Sequence, residues 1–125
     1  MTDLAILRLA DAAARHAAKR HELVARNIAN SDTPGFRARD LSRFETAMQD
    51  GFAARATRPT HLHGGHRAMY REIEDTAFGA AKPNGNTVSL TDQMTRAAEA
   101  MGDHERATTI YGKTVAILRA GMGRK

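Results

Sequence analysis

The beginning of the chain has the hydrophobic spacing of a long helix. From about Asp3 to Asn30 there is no Pro or Gly, and the strong helix formers Ala, Leu and Arg predominate. Thr2 or Asp3 can cap the first turn. Positions at heptad spacing form one stripe, in which six of eight are apolar: Leu4, Leu7, Asp11, Ala14, Ala18, His21, Ala25 and Ile28. This narrow stripe of mostly small side chains is typical of a close-packed seam between helices.

The end of the chain predicts a second long helix, from about Ser89 to Ala120. Ser89 can cap its first turn, where Asp92 is also favourable. Gly102 and Gly112 lie inside it; either they are simply tolerated, or a neighbouring helix approaches closely there. Eight of ten positions at heptad spacing are apolar: Leu90, Met94, Ala97, Met101, His104, Thr108, Tyr111, Val115, Leu118 and Met122. Seven of these apolar residues form the predicted helix seam: Leu90, Met94, Ala97, Met101, Tyr111, Val115 and Leu118.

The middle of the chain lacks a sustained pattern. All three prolines fall between about Ser31 and Val88, together with most of the turn-forming pairs. Asp40 is placed to cap a short helix that ends near Gly51. Residues 70–78 are compatible with either a short strand or a helical turn.

These patterns predict a mostly α fold. Its two long terminal helices pack as an antiparallel coiled-coil-like pair, with a short third helix and an irregular extended middle segment. Residues 1–36 and 84–125 form one helical domain, and residues 37–83 connect its halves, with the short helix near 41–50. Neither long helix can bury its stripe alone, and a two-helix pair still leaves apolar surface exposed. Further helices are therefore expected from other chains.

Composition and charge leave one competing class of protein. Apolar residues make up 42% of the chain and aromatics 5%, and the absence of cysteine excludes disulfides and thiolate metal sites. The formal charge of +5 and the pI of about 10.2 make a basic helical nucleic-acid-binding protein the alternative. Its best support is the cluster Arg37, Arg39 and Arg43, but Asp40 lies inside this cluster and no long block of like charges occurs.

The sequence shows no cleaved secretory signal and no spanning helix. Arg8, Asp11 and Arg15 interrupt the apolar residues near the N-terminus. No stretch approaches the roughly 18 uninterrupted apolar residues that a membrane helix needs. Passage out of the cytoplasm would therefore require a route that does not read such a signal.

Candidate chemistry is sparse. His61, His63 and His66 are weak candidates for a zinc or nickel site, because they lie beside two glycines without a nearby acid. No nucleophile stands beside a base, and no phosphate-binding glycine loop occurs. We expect no enzymatic activity, no cofactor, no bound metal and no small-molecule substrate.

The most informative stretch follows the first helix. Thr33 precedes proline and is therefore pushed out of the helical region. Pro34 and Gly35 suit the two central positions of a type II turn, in which glycine supplies a positive φ. Phe36 then offers an apolar anchor. The motif residues are Asn27, Ile28, Ala29, Asn30, Thr33, Pro34, Gly35 and Phe36.

This stretch resembles the N-I-A-N-x-x-T-x-G-F/Y signature of flagellar rod, hook and hook-associated proteins. Within that family the chain is most similar to proximal subunits of the basal-body rod. Two further segments carry this likeness: Arg37-Ala38-Arg39-Asp40 after the turn, and Asn84-Gly85-Asn86-Thr87-Val88-Ser89-Leu90 before the last helix.

The resemblance implies a structural subunit that polymerises through its terminal helices into the axial tube that transmits torque. Its implied partners are copies of itself, other flagellar rod proteins, the membrane ring complex with its rod adaptor, and the flagellar type III export apparatus. The implied location is the periplasmic rod of the basal body, reached by export without signal cleavage. Nucleic acid is not among these partners.

Overall fold

The computed structural model describes residues 2–49, 70–75 and 81–123, with only the backbone for the first two of them. The described elements are, in chain order, helix α1 (Thr2–Ala29), strand β1 (Arg39–Leu41), helix α2 (described over 44–49), strand β2 (Glu72–Glu74) and helix α3 (Leu90–Met122).

The two long helices pack against each other in an antiparallel pair. Arg20 of α1 donates to Glu99 of α3 across 3.1 Å. About two helical turns later, Asn27 donates to Gln93, which precedes Glu99. Because later residues of α1 meet earlier residues of α3, the helices run in opposite directions. The predicted mostly helical fold with paired terminal helices is confirmed.

The contact between the helices is built from residues outside the predicted stripes, many of them small or polar. The buried residues of α1 are Ala10, His16, Ala17, Leu23, Val24 and Asn27. Those of α3 recur at every seventh residue: Gln93, Ala100, Ala107 and Thr114. Small side chains at this spacing suit closely approaching helices. A search for large apolar residues overlooks this row, because two of its four positions are polar and the other two are alanine. Buried polar side chains are tolerated where they find hydrogen-bond partners.

The predicted stripes lie outside these buried rows. On α1, Leu4 and Ile28 are exposed, and Leu7 is half-buried. On α3, four members of the predicted seam are exposed: Leu90, Met94, Met101 and Tyr111. Its other three members, Ala97, Val115 and Leu118, are half-buried. This single chain therefore leaves most of both stripes accessible.

A short antiparallel ladder joins the segments that follow α1 and precede α3. In this ladder Arg39 pairs with Glu74, Asp40 with Ile73 and Leu41 with Glu72. The strand over Glu72–Glu74 resolves the ambiguity left by the sequence between strand and helical turn.

The role predicted for Asp40 is wrong, because it lies in β1 and does not cap α2. Arginines from both long helices, distant in sequence, hold its carboxylate. The start of α3 agrees with the prediction: Ser89 accepts a hydrogen bond from the N–H of Asp92 at 3.4 Å.

Candidate functional site

The turn after α1 has the predicted geometry. The N–H of Phe36 donates to the carbonyl of Thr33 at 3.3 Å, which closes a four-residue turn around Pro34 and Gly35. Gly35 has φ +73°, the conformation that a type II turn requires at its third position. The predicted positive φ at Gly35 is therefore confirmed.

This turn packs directly against the loop that precedes α3. The N–H of Gly35 donates to the carbonyl of Asn84 at 2.9 Å, and the N–H of Thr87 donates to the carbonyl of Phe36 at 3.0 Å. Gly85 also has a positive φ, +82°, and a Cβ added there would lie 3.4 Å from the Cα of Gly35. Two of the segments that carried the family resemblance thus form one structure, which we call the motif junction (residues 30–36 and 82–88).

Asn86 is the centre of the motif junction, and its exposed fraction is 0%. Its Nδ2 donates to the carbonyls of Asn30 and Thr33, both at 2.8 Å. One side-chain amide therefore gives a hydrogen-bond donor to a backbone carbonyl at the end of α1 and to another in the turn after it. Its Oδ1 accepts from the N–H of Val88, also at 2.8 Å. The side chain therefore ties the end of the first helix to the start of the last.

Asn27, which lies about one helical turn before Asn30, performs a similar task for β1. Its Nδ2 donates to the carbonyl of Arg39 at 2.7 Å, and its Oδ1 accepts from the N–H of the same residue at 3.1 Å. Nδ2 also donates to Oε1 of Gln93 on α3 at 2.9 Å. This buried amide therefore joins α1, β1 and α3.

A cluster of charged groups lies beside Asn27 and locks the strand pair onto the helices. The carboxylate of Asp40 accepts from Arg20 at 3.0 Å and from Arg96 at 2.9 Å. Arg96 also donates to Asp75 at 2.7 Å. Burial disfavours the charge of Arg20, but its bonds to Asp40 and Glu99 outweigh this and raise its pKa. We call these five residues the charge cluster.

A second group of side chains fixes the chain near the middle of α1. His16 is buried, and its Nε2 lies 2.7 Å from the carbonyl oxygen of Ser42. Its ring contacts the rings of Phe44 and Tyr70, whose centroids lie 5.6 and 5.5 Å from the centroid of His16. The Tyr70 hydroxyl donates to the carbonyl of Ala12 at 3.1 Å. The pKa of Tyr70 is raised, chiefly by burial. Arg15 lowers this pKa and Asp11 raises it, both by smaller amounts than burial.

The predicted motif residues divide between structural anchors and accessible surface. Asn27 is buried, while Asn30 and Phe36 are half-buried. The remaining five are exposed: Ile28, Ala29, Thr33, Pro34 and Gly35. Sequence reasoning missed Asn86, Gln93 and His16. A polar residue at a heptad position of a buried row is the signal that would have identified Gln93.

The arrangement holds segments together and offers little for catalysis. Among the residues that the structure describes, no three His, Cys, Asp or Glu side chains gather as a metal site. The candidate ligands His61, His63 and His66 lie outside the described residues. No helix of the described part is long and apolar enough to cross a membrane.

Apolar side chains are abundant on the surface of both long helices. On α1, Leu4 is 54% exposed and Leu9 49%. On α3, Met94 is 69% exposed, Met101 57% and Ile117 68%. Scattered single apolar residues are normal on a protein surface, but these lie together along two paired helices.

Relatives of known identity agree with the sequence motifs. A protein of Agrobacterium fabrum is 32% identical over 105 residues, which cover 79% of this chain and 78% of that protein. A protein of Salmonella typhimurium is 29% identical over 118 residues, 86% of each chain. One of Proteus mirabilis is 28% identical over 112 residues, 82% of each.

All three relatives have the name flagellar basal body rod protein FlgB. No family model matches the chain. Nothing in these relatives supports the nucleic-acid-binding alternative. The extent and identity of the matches show that the chain belongs to the FlgB family of flagellar basal body rod proteins.

Proposed function

We propose that this rod subunit polymerises through the uncovered apolar faces of α1 and α3 into the axial tube that transmits torque. The observation that carries this proposal is the exposure of large apolar side chains along both helices, including Leu4, Met94, Met101 and Ile117. Covering such surface is favourable at about 25 cal/mol per Å² of apolar area. A tube of packed helices covers it with copies of itself and other rod proteins.

The predicted division of the chain is part of this proposal. Residues 1–36 and 84–125 form the rod core, and residues 37–83 connect them. The contacts of the motif junction support this division, because Asn86 binds carbonyls of Asn30 and Thr33 across the intervening segment. The predicted helix seam, from Leu90 to Leu118, then contacts neighbouring subunits.

Membership of the family supports a location and further partners for the subunit as part of this proposal. The subunit lies in the periplasmic part of the basal body, next to the membrane ring complex and its rod adaptor. The flagellar type III apparatus exports it without cleavage of a signal. Its function needs no cofactor and no small molecule.

A pair of substitutions on α3 tests the role of the apolar face. Met94→Asp places a carboxylate where the proposal buries a side chain, and an unpaired buried charge is costly. We expect rods and motility to be lost. Thr109→Asp adds the same charge at another exposed position of the helix and should reduce motility far less.

The measurement is the recovery of the tagged chain in purified basal bodies, together with swimming in soft agar. Export of each variant is checked first, because failed export also abolishes the rod. Equal incorporation of exported Met94→Asp and Thr109→Asp would contradict the proposed packing.

A further inference from the structure

An Asn-Gly pair lies in the loop of the motif junction. Asn84 and Gly85 are both exposed, and Gly85 has φ +82°. The N–H of Gly85 donates to the carbonyl of Lys82 at 2.8 Å, and the N–H of Lys82 donates to the carbonyl of Asn86 at 2.9 Å. These bonds enclose a three-residue hairpin loop, whose last position is commonly a glycine with positive φ. The loop geometry therefore favours a glycine directly after Asn84.

Asparagine followed by glycine is chemically labile. The backbone nitrogen of the glycine attacks Cγ of the asparagine side chain, and a five-membered succinimide ring forms. The new N–Cγ bond replaces the bond from Cγ to the side-chain nitrogen, which takes up the proton of the attacking nitrogen and leaves as ammonia. Water then opens the ring at either carbonyl, giving aspartate or isoaspartate. In isoaspartate the main chain continues through the side-chain carbons.

Asn84 is the most reactive asparagine of this chain by its local sequence. The other three are Asn27, Asn30 and Asn86, which precede isoleucine, serine and threonine. The side chains of those residues obstruct the approach of the backbone nitrogen to Cγ, whereas glycine has no Cβ to do so. Deamidation of the unfolded chain should therefore begin at Asn84.

The folded junction holds every group that this reaction must move. The nitrogen of Gly85 must lose its proton, which is bound to the carbonyl of Lys82. Oδ1 of Asn84 accepts from the N–H of Asn86 at 3.1 Å, which orients the side chain that would be attacked. The carbonyl of Asn84 accepts from the N–H of Gly35 at 2.9 Å, which fixes the main chain. The attack therefore requires the loop to open.

The buried side chain of Asn86 keeps this loop closed. Its Nδ2 donates to the carbonyls of Asn30 and Thr33, so the loop cannot leave the turn after α1 without breaking both bonds. Buried polar groups without partners are costly, and open molecules are correspondingly rare. The same side chain that joins the two segments thus limits the chemistry at Asn84.

We propose that Asn84 is a site of spontaneous deamidation that the closed motif junction protects, and that isoaspartate formed there prevents the junction from closing again. Isoaspartate adds one atom to the main chain directly before Gly85. There is no room for this atom, because even a Cβ added to Gly85 would lie 3.4 Å from the Cα of Gly35. The reaction needs only the chain and water, so it is independent of the rod function.

Incubation of the purified full chain at mildly alkaline pH, with and without guanidinium chloride, tests the protection. Peptide mapping by mass spectrometry locates the replacement of an amide nitrogen by oxygen, and an isoaspartyl methyltransferase labels isoaspartate. In denaturant Asn84 should react fastest of the four asparagines. Without denaturant its rate should fall at least about tenfold, because only opened molecules react. Equal rates in the two conditions, or faster reaction of another asparagine in denaturant, would overturn the proposal.

Two variants separate the junction from overall stability. Asn86→Ala breaks the junction, whereas Leu23→Ala empties a buried site on α1 outside it. At denaturant concentrations that give both variants the same unfolded fraction, Asn84 should react several-fold faster in Asn86→Ala. Lys82→Ala, which removes an exposed bond from Nζ to the carbonyl of Ser31, replaces Asn86→Ala if that variant does not fold. Equal rates at equal unfolded fraction would overturn the protective role of the junction.

Substitutions of Asn84 test the chemistry and its consequence. Asn84→Gln would have to close a six-membered ring, so no mass change should occur at this position during the same incubation. Asn84→Asp has the charge of the product with an ordinary main chain and should fold like the parent. Parent chain aged in denaturant and returned to buffer should regain its helix content, by circular dichroism, only in the fraction without isoaspartate. Refolding of the isoaspartate fraction to the stability of Asn84→Asp would overturn the proposed block.

Discussion

The amide of Asn86 should be the most sensitive point of the motif junction. Asn86→Ala removes three hydrogen bonds of 2.8 Å, to the carbonyls of Asn30 and Thr33 and from the N–H of Val88. Each such bond contributes about 0.5–1.5 kcal/mol net, and a buried group left without a partner costs more. We therefore expect a loss of about 3 kcal/mol in the free energy of unfolding, a large part of the stability of a small domain.

Urea unfolding of the purified chain, followed by circular dichroism, measures this loss. Asn84→Ala is the matched control, since its exposed side chain accepts one bond, from the N–H of Asn86 at 3.1 Å. That control should cost about 1 kcal/mol. Asn86→Asp keeps the acceptor but turns an anionic oxygen toward two carbonyls, and it should destabilise at least as much as alanine. A cost for Asn86→Ala no larger than for Asn84→Ala would refute the assigned role.

Four further substitutions test other parts of the fold. Gly35→Val forces a β-branched residue to φ +73° and should lower the free energy of unfolding by about 1–3 kcal/mol. Gly112→Ala, inside α3 with open space around it, should raise that free energy by about 1 kcal/mol. Thermal melts of the two variants measure the difference. Leu23→Ala empties a fully buried site and should cost about 2–5 kcal/mol in urea unfolding. Because burial raises the pKa of Tyr70 in the folded chain, stability should fall as pH rises above about 10, and Tyr70→Phe should weaken that fall in melts at alkaline pH.

The sequence predicted the long helices and the turn well, because these depend on local chemistry. The absence of Pro and Gly predicted α1, Ser89 predicted the start of α3, and Pro34-Gly35 predicted the turn with its positive φ. Each of these features is determined by residues within a few positions of one another.

The sequence did not predict the groups that join distant segments. Aspartate is a residue type that often caps helices, but the actual role of Asp40 depends on arginines twenty and fifty-six residues away. The buried rows were also missed, because Ala100, Ala107 and Gln93 do not stand out as apolar anchors. Their burial depends on what α1 places opposite them, which periodicity along α3 does not contain.

The separation of the two long helices in the chain has a consequence for how the protein folds. Helical proteins usually fold quickly because their contacts are local. Here α1 ends at Ala29 and its partner begins at Leu90, so pairing must first close a loop that spans the whole middle of the sequence. The entropy of that closure grows only with the logarithm of loop length, by about 0.6 kcal/mol for each doubling. The connecting segment can therefore lengthen or shorten considerably at small thermodynamic cost, while the motif junction keeps the two helices in register.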